Sequence, residues 1–185
     1  MGGMRRIRLS LARACSALLL VLLANSLAPG QVVAEYQVKA AYIYNFAKFI
    51  DWPAENFPNP TSPFRFCVLN DQSFQSSLNQ ITKDKNLAGH PLHVDLVQSP
   101  EESRACEILF VNSSQDRHLH HIIETLQGVS VLTVGETKSF LDEGGMITFV
   151  LQDQHVQFQV NHKAAIKAGL HISARLLIVA KAVIE

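Results

Sequence analysis

Four short apolar runs, set apart by polar stretches of helical length, constrain the fold of this chain more than any other feature. The runs 64–69, 92–97, 107–111 and 129–134 each have the length of a strand. Between them, 73–83 reads as a polar helix and 116–126 as another. Ser99, Pro100, Glu101 and Glu102 form a capping box with proline at the first helical position, so a helix is expected there too. Strands that alternate with helices form a mostly parallel sheet covered on its faces. A single helical turn is expected at 138–141, ended by Gly144 and Gly145. Residues 146–151 and 156–160 then read as a hairpin turning at 152–155, which adds an antiparallel edge. The expected fold class is α/β: a single domain with a mostly parallel sheet, flanking helices, and a C-terminal antiparallel hairpin plus helix.

The flanks of this pattern are helical. Tyr36, Val38, Ala41, Tyr42, Phe46 and Phe49 recur at helical spacing, so 36–50 is expected to be a helix. It should end near Asp51, because Pro53 biases Trp52 towards an extended backbone. Pro58, Pro60 and Pro63 mark a loop. Near the far end, Asn161 suits the cap of a short helix that Gly169 ends in a left-handed conformation. Ser173 then caps a second helix, 174–183, expected to bury Leu176, Leu177, Val179, Ala180 and Val183. The alternative is one unbroken helix from His162, in which Lys163, Lys167, His171 and Arg175, spaced by four, form a basic stripe.

The beginning of the chain predicts export. Arg5, Arg6, Arg8 and Arg13 precede an apolar run from Ala17 to Ala24. Pro29 and Gly30 break the run, and Val32 and Ala34 offer small side chains two residues apart. Together these features describe a cleavable signal peptide over 1–34 and a domain over 35–185. The apolar run is far shorter than the ~20 residues a membrane-spanning helix needs. The whole chain has 16 basic and 16 acidic residues; losing the four arginines leaves 12 against 16, a net charge of −4. That balance argues against a nucleic-acid binder, which needs a basic footprint. Cys67 and Cys106 remain, and an even cysteine count in an exported domain favours a disulfide over two buried thiols.

No catalytic motif emerges. The chain lacks a Gly-rich phosphate loop, a GxSxG elbow, an HExxH pair, a zinc ribbon and an EF-hand loop. His118 and His121 share one helical face and could chelate a metal with Asp116 or Glu124. Without a third fixed ligand, solvated surface histidines are the ordinary explanation, so no metal, cofactor or catalytic residue is expected. Asn70, Asp71 and Ser73, then Asn112 and Ser113, then Glu136 follow the strand runs. In an open parallel sheet these positions line the carboxyl ends, where ligands bind, although helix caps and turns use the same residues. All three tyrosines and the only tryptophan fall within 36–52, which suits core packing for most and a partner or dimer surface for one face. Tyr44 and Phe46 are the candidates there, beside the electropositive Lys163, Lys167, His171 and Arg175.

Two stretches carry a family resemblance. Tyr36, Lys39-Ala40-Ala41-Tyr42, Tyr44-Asn45-Phe46, Lys48-Phe49 and Asp51-Trp52-Pro53 form the first. Gly145-Met146-Ile147, Phe158-Gln159-Val160-Asn161, Ala164-Ala165, Ala168-Gly169-Leu170, Ile172-Ser173 and Leu176-Leu177 form the second. With Cys67 and Cys106 between them, the chain resembles the YfiR family over 35–185. The resemblance implies a periplasmic α/β protein without known catalysis. It implies a protein that restrains an inner-membrane signalling protein, such as a diguanylate cyclase, by binding its periplasmic domain. An outer-membrane lipoprotein is the implied antagonist, and a homodimer is a further possibility. The resemblance also implies a bridge between Cys67 and Cys106; a second cysteine pair seen in some members is absent here. The alternative expectation is a periplasmic small-ligand-binding sensor or enzyme that uses the strand-end loops.

Overall fold

The computed structural model describes residues 29–185. The expected signal peptide therefore lies outside the described residues up to position 28. The chain divides into two compact units, Met1–Val33 and Ala34–Glu185. The described part of the first is the start of helix α1 (Pro29–Phe46), with proline in its first turn. The second unit continues α1 and adds β1 (Ile50–Asp51), β2 (Phe64–Leu69), α2 (Gln72–Thr82), β3 (Asn86–Leu87), β4 (His90–Val97) and β5 (Ile108–Val111). Then come α3 (Leu119–Thr125), β6 (Leu132–Gly135), β7 (Ile147–Gln152), β8 (His155–Asn161), α4 (His162–Lys167), β9 (His171–Ile172), α5 (Ala174–Val179) and β10 (Ala182–Ile184).

The main sheet runs β10-β8-β7-β6-β5-β2-β4-β3. Strands β4, β2, β5, β6 and β7 run parallel to one another, while β3 is antiparallel to β4 and β8 is antiparallel to β7. Alternation along the central strands divides the core in two. Phe64, Phe66 and Val68 of β2, with Ile108 and Phe110 of β5, join Ala40, Ile43 and Phe46 of α1 and Phe74 and Leu78 of α2 on one face. Cys67 and Leu69 of β2, with Leu109 and Val111 of β5, meet Leu119 and Ile122 of α3 and Phe140 on the other. Burial on both faces explains why β5 reads as an unbroken apolar run, and β2 as one after Arg65. The expected fold class is the one observed.

The differences are local and have physical causes. Helix α1 ends at Phe46 rather than near Asp51, because Ile50 and Asp51 pair with Ile172 and His171 in a separate two-stranded sheet. The capping box opens only a 3-10 turn, Glu102–Ala105, in which the Glu102 carboxylate accepts the Gln98 backbone N–H at 3.0 Å. The helix expected over 116–126 begins as a 3-10 turn, Ser113–His118, and is α-helical only from Leu119. Residues 138–141 form turns rather than a helix, and Phe140 is buried between glycines. A Cβ on Gly135 or Gly145 would lie within 2.4 Å of the Phe140 side chain, so both positions require glycine.

The hairpin turn is tighter than expected. Gln152 pairs with His155, leaving only Asp153 and Gln154 between the strands, with φ of 49° and 62°. Two consecutive left-handed residues are the mark of a type I′ turn, whose twist matches the strands. The hairpin is not the sheet edge, because β10 lies outside β8. At α4 the expectation holds: Asn161 Oδ1 accepts the Ala164 N–H at 3.0 Å, and Gly169 has φ of 77°. The second helix is shorter than 174–183. It ends at Val179, and the chain then pairs with β8 as β10. Leu176 is buried as expected, but Val179 is 66% exposed.

Candidate functional site at the strand carboxyl ends

The sequence-predicted polar residues converge where β2, β5 and β6 end, and the amino-terminal part of α1 lies over them. Asp71 caps α2: its Oδ1 accepts the Phe74 N–H at 2.9 Å. Its Oδ2 accepts both the Tyr36 hydroxyl and the Asn112 Nδ2 at 2.9 Å. Burial, then the hydrogen bond and charge of Asp71, push the Tyr36 phenol above its ordinary pKa. One turn further along α1, Lys39 Nζ lies 2.6 Å from Glu136 Oε2 and 2.5 Å from Glu35 Oε1. The other oxygen of Glu136 accepts the Ser113 N–H at 2.8 Å.

Tyr36 and Lys39 fall on one face of α1 because they are three residues apart. Lys39 is only 6% exposed and Asp71 only 8%, so these polar groups are held inside the fold rather than in solvent. Every acceptor oxygen of Asp71 and Glu136 already has a donor from within the chain. Chemically the arrangement is a clamp: it fixes α1 across the mouth in which an open sheet of this kind holds a ligand.

Of the expected pocket residues, Asp71, Asn112, Ser113 and Glu136 take part in this clamp. Asn70 and Ser73 are exposed beside it, and Asn70 donates instead to the Gln98 carbonyl at 3.2 Å. Sequence reasoning missed Tyr36, Lys39 and Glu35. The available signal was Lys39 itself, a lysine inside a helix otherwise apolar nearly all round, four residues after Glu35.

The other candidates are placed as follows. Cys67 and Cys106 are bridged, with Cα atoms 6.1 Å apart, and tie β2 to the turn before β5. Phe46 is fully buried against Phe149 and Phe158, which makes it a core residue and corrects its assignment to a surface. Tyr44 is half-buried, with the Lys48 ammonium 4.0 Å and the Lys85 ammonium 4.5 Å from its ring centroid. Lys163, Lys167, His171 and Arg175 are all exposed but lie on three successive elements, so no single helix carries them as a stripe. His118 ends the 3-10 turn before α3 rather than sharing that helix with His121, which faces Glu101 at 3.7 Å, while His120 faces Glu143 at 3.3 Å. Among the described residues, no three metal-ligating side chains come together, and no helix is long and apolar enough to cross a membrane.

At the opposite end of the sheet lies a buried acid, Glu107. Its Oε2 accepts the Arg65 N–H at 2.6 Å, and its carbonyl accepts the Trp52 indole N–H at 3.1 Å. Burial pushes its carboxyl up despite these bonds. It anchors Trp52 and the start of β5 and faces no cavity at the strand carboxyl ends.

The family described as YfiR/HmsC-like matches residues 36–181. No curated protein matches the chain. Among solved structures, the chain is similar to a conserved domain protein from Vibrio cholerae O1 biovar eltor, at 11% identity and a TM-score of 0.53, over 78% of this chain and 59% of that one. It is also similar to an ABC domain in complex with L-Trp from Streptococcus pneumonia, at 12% identity and a TM-score of 0.46, over 71% of this chain and 58% of that one. The chain thus spans less than two thirds of the length of either solved chain.

Proposed function

Because the chain belongs to the YfiR/HmsC-like family, we propose that it is a periplasmic regulator that acts by contact, holding an inner-membrane signalling protein such as a diguanylate cyclase in check through that protein's periplasmic domain. The observation that carries the reading is the Lys39–Glu136 clamp. It occupies the strand carboxyl ends, where a small-ligand sensor or an enzyme of this architecture would need an open crevice. With both oxygens of Asp71 and of Glu136 already engaged by donors from within the chain, a ligand that reached them would compete with the contacts that hold α1. That weighs against the small-ligand reading and leaves the outer surface to bind a partner. An outer-membrane lipoprotein would relieve the restraint by competing for the same protein. The Cys67–Cys106 bridge holds the domain together in an oxidising compartment.

The test has two arms. In the first, the exported protein is titrated by calorimetry against the isolated periplasmic domains of the host's inner-membrane diguanylate cyclases. In the second, cyclic di-GMP is measured after deletion of the gene and after its restoration. Saturable binding to one domain, with cyclic di-GMP rising on deletion and falling on restoration, is the expected result. No binding to any of them and unchanged cyclic di-GMP would overturn the reading.

A further inference from the structure

At the amino end of the sheet, away from the clamp, four rings stand in a row. His90 stacks on Phe57 with ring centroids 4.3 Å apart, and Phe57 on Phe64 at 6.1 Å. Phe64 in turn meets Trp52 edge to face at 5.0 Å. Phe64 opens β2 and is buried, and the other three rings are half-buried. All four line a cavity of about 250 Å³ between the end of α1 and the β3–β4 turn, and Lys48 and Asp51 line it with them.

Two of the rings are fixed by the backbone. The Trp52 indole uses its single donor on the Glu107 carbonyl at 3.1 Å, so it offers the cavity only an apolar ring. His90 Nδ1 lies 2.8 Å from the Ser62 carbonyl. A carbonyl can only accept, so Nδ1 carries the proton and Nε2 of the neutral ring is left as an acceptor. Asp51 makes no ion pair among the described residues. Lys48 donates to Asn45 Oδ1 at 3.3 Å and has further N–H donors to give.

We propose that this cavity binds one pyranose ring of a neutral sugar. Its volume is below the ~300 Å³ at which sites for drug-sized ligands begin, so it has room for a single six-membered ring and not for a nucleotide or a peptide. The charges of Lys48 and Asp51 cancel, which suits a ligand without net charge. A pyranose has an apolar C–H face that packs on aromatic rings, and hydroxyl groups at its edge that both donate and accept. Hydroxyls would donate to the Asp51 carboxylate and to His90 Nε2, and another sugar oxygen would accept from the Lys48 ammonium. A flat apolar ring would cover the same three polar groups without pairing them, which is unfavourable. The site lies at the opposite end of the sheet from the Lys39–Glu136 clamp, and the inference does not rest on the function proposed above.

Trp52 is the only tryptophan in the chain, so its fluorescence reports on this cavity directly. The full chain, exported and processed by its host, is titrated with glucose, N-acetylglucosamine and N,N′-diacetylchitobiose, and with phenylalanine and benzoate as flat comparators. Circular dichroism and urea midpoints check that each variant is folded. A saturable change in Trp52 emission is expected with at least one sugar, with Kd on the order of millimolar. Tighter binding of the disaccharide than of either single sugar would identify the end of a glycan chain as the ligand, and the reverse order a free sugar. Asp51→Ala should weaken binding by about tenfold or more, because it removes a charged acceptor. His90→Phe keeps a ring against Phe57 and removes only the acceptor nitrogen, and it too should weaken binding. No saturable change with any sugar up to about 50 mM, binding indifferent to either variant, or tighter binding of phenylalanine or benzoate than of every sugar would each overturn the inference.

Discussion

The ammonium of Lys39 on α1 lies 2.6 Å from the Glu136 carboxylate just after β6, joining two residues 97 positions apart. Both side chains are about nine-tenths buried. A buried pair contributes little over a well-packed apolar pair, but breaking it by removing one partner is costly, because the other charge remains desolvated.

Lys39→Met is therefore expected to lower stability by about 3 kcal/mol, leaving Glu136 and Glu35 close together without their cation. The double variant Lys39→Met, Glu136→Gln should lose less than the sum of the single changes, since each removes the same interaction. Urea unfolding of the four proteins in this cycle gives the coupling. Additive losses would mean that the two groups do not act as a pair.

Phe140 depends on two glycines. Gly135→Ala places a methyl group within the space of its ring, and Phe140 is fully buried. Overpacking of this kind costs about 1–3 kcal/mol. Adding Phe140→Leu should recover part of that loss, which unfolding midpoints would detect. If Gly135→Ala unfolds at the wild-type midpoint, the contact does not constrain the position.

The Cys67–Cys106 bridge closes a sequence separation of 39 residues. A loop of that size stabilises by about 4 kcal/mol in the chain-entropy model. The Cys67→Ala, Cys106→Ala double variant is expected to lose stability of that order relative to the oxidised wild type, and reductant should then have no further effect on it. Unchanged stability in the double variant would show the bridge to be dispensable to the fold.

Much of this was legible in the sequence because it is local. The run 64–69 has the length and, Arg65 apart, the apolar character of a buried strand, while Asn161 and Gly169 mark the ends of a short helix by cap chemistry alone. The missed elements are those that distant partners create. Residues 182–184 fit a helix by periodicity, and only the exposed edge of β8 makes them a strand. β1 is two residues long and exists because β9, more than a hundred positions away, pairs with it. Asp71, Asn112 and Glu136 were visible as strand-end residues, but nothing in their spacing shows that Tyr36 and Lys39 meet them.

Glu107 provides a pH test. Burial holds its carboxyl above the ordinary value, so the folded state takes up a proton more readily than the unfolded chain does. Its protonation contributes stability that is full below the unfolded pKa of about 4.3 and is lost as pH rises through the folded value. Glu107→Gln keeps an oxygen to accept the Arg65 N–H and carries no charge. The variant is therefore expected to gain on the wild type at neutral pH, with the gain shrinking as pH falls through the folded value and gone below about 4.3. Urea midpoints across that range measure it. A variant less stable than wild type at pH 7 would mean that the ionised carboxylate is favoured in its site.

The segment that holds Tyr44 and Phe46 separates packing from recognition. Phe46 is fully buried, and Phe46→Ala should cost about 3–5 kcal/mol of stability. Tyr44 lies between the Lys48 and Lys85 ammonium groups at the surface of α1, where a partner's acidic groups would meet two cations and an aromatic face. Tyr44→Glu replaces that face with a carboxylate that neutralises one of the cations, while leaving the buried residues of α1 in place. If this surface receives the partner, Tyr44→Glu should abolish binding to the partner's periplasmic domain with an unfolding midpoint close to wild type. Calorimetry beside urea unfolding checks both halves. Full binding by Tyr44→Glu would move the contact surface away from α1, and loss of fold would place Tyr44 with Phe46 in the core.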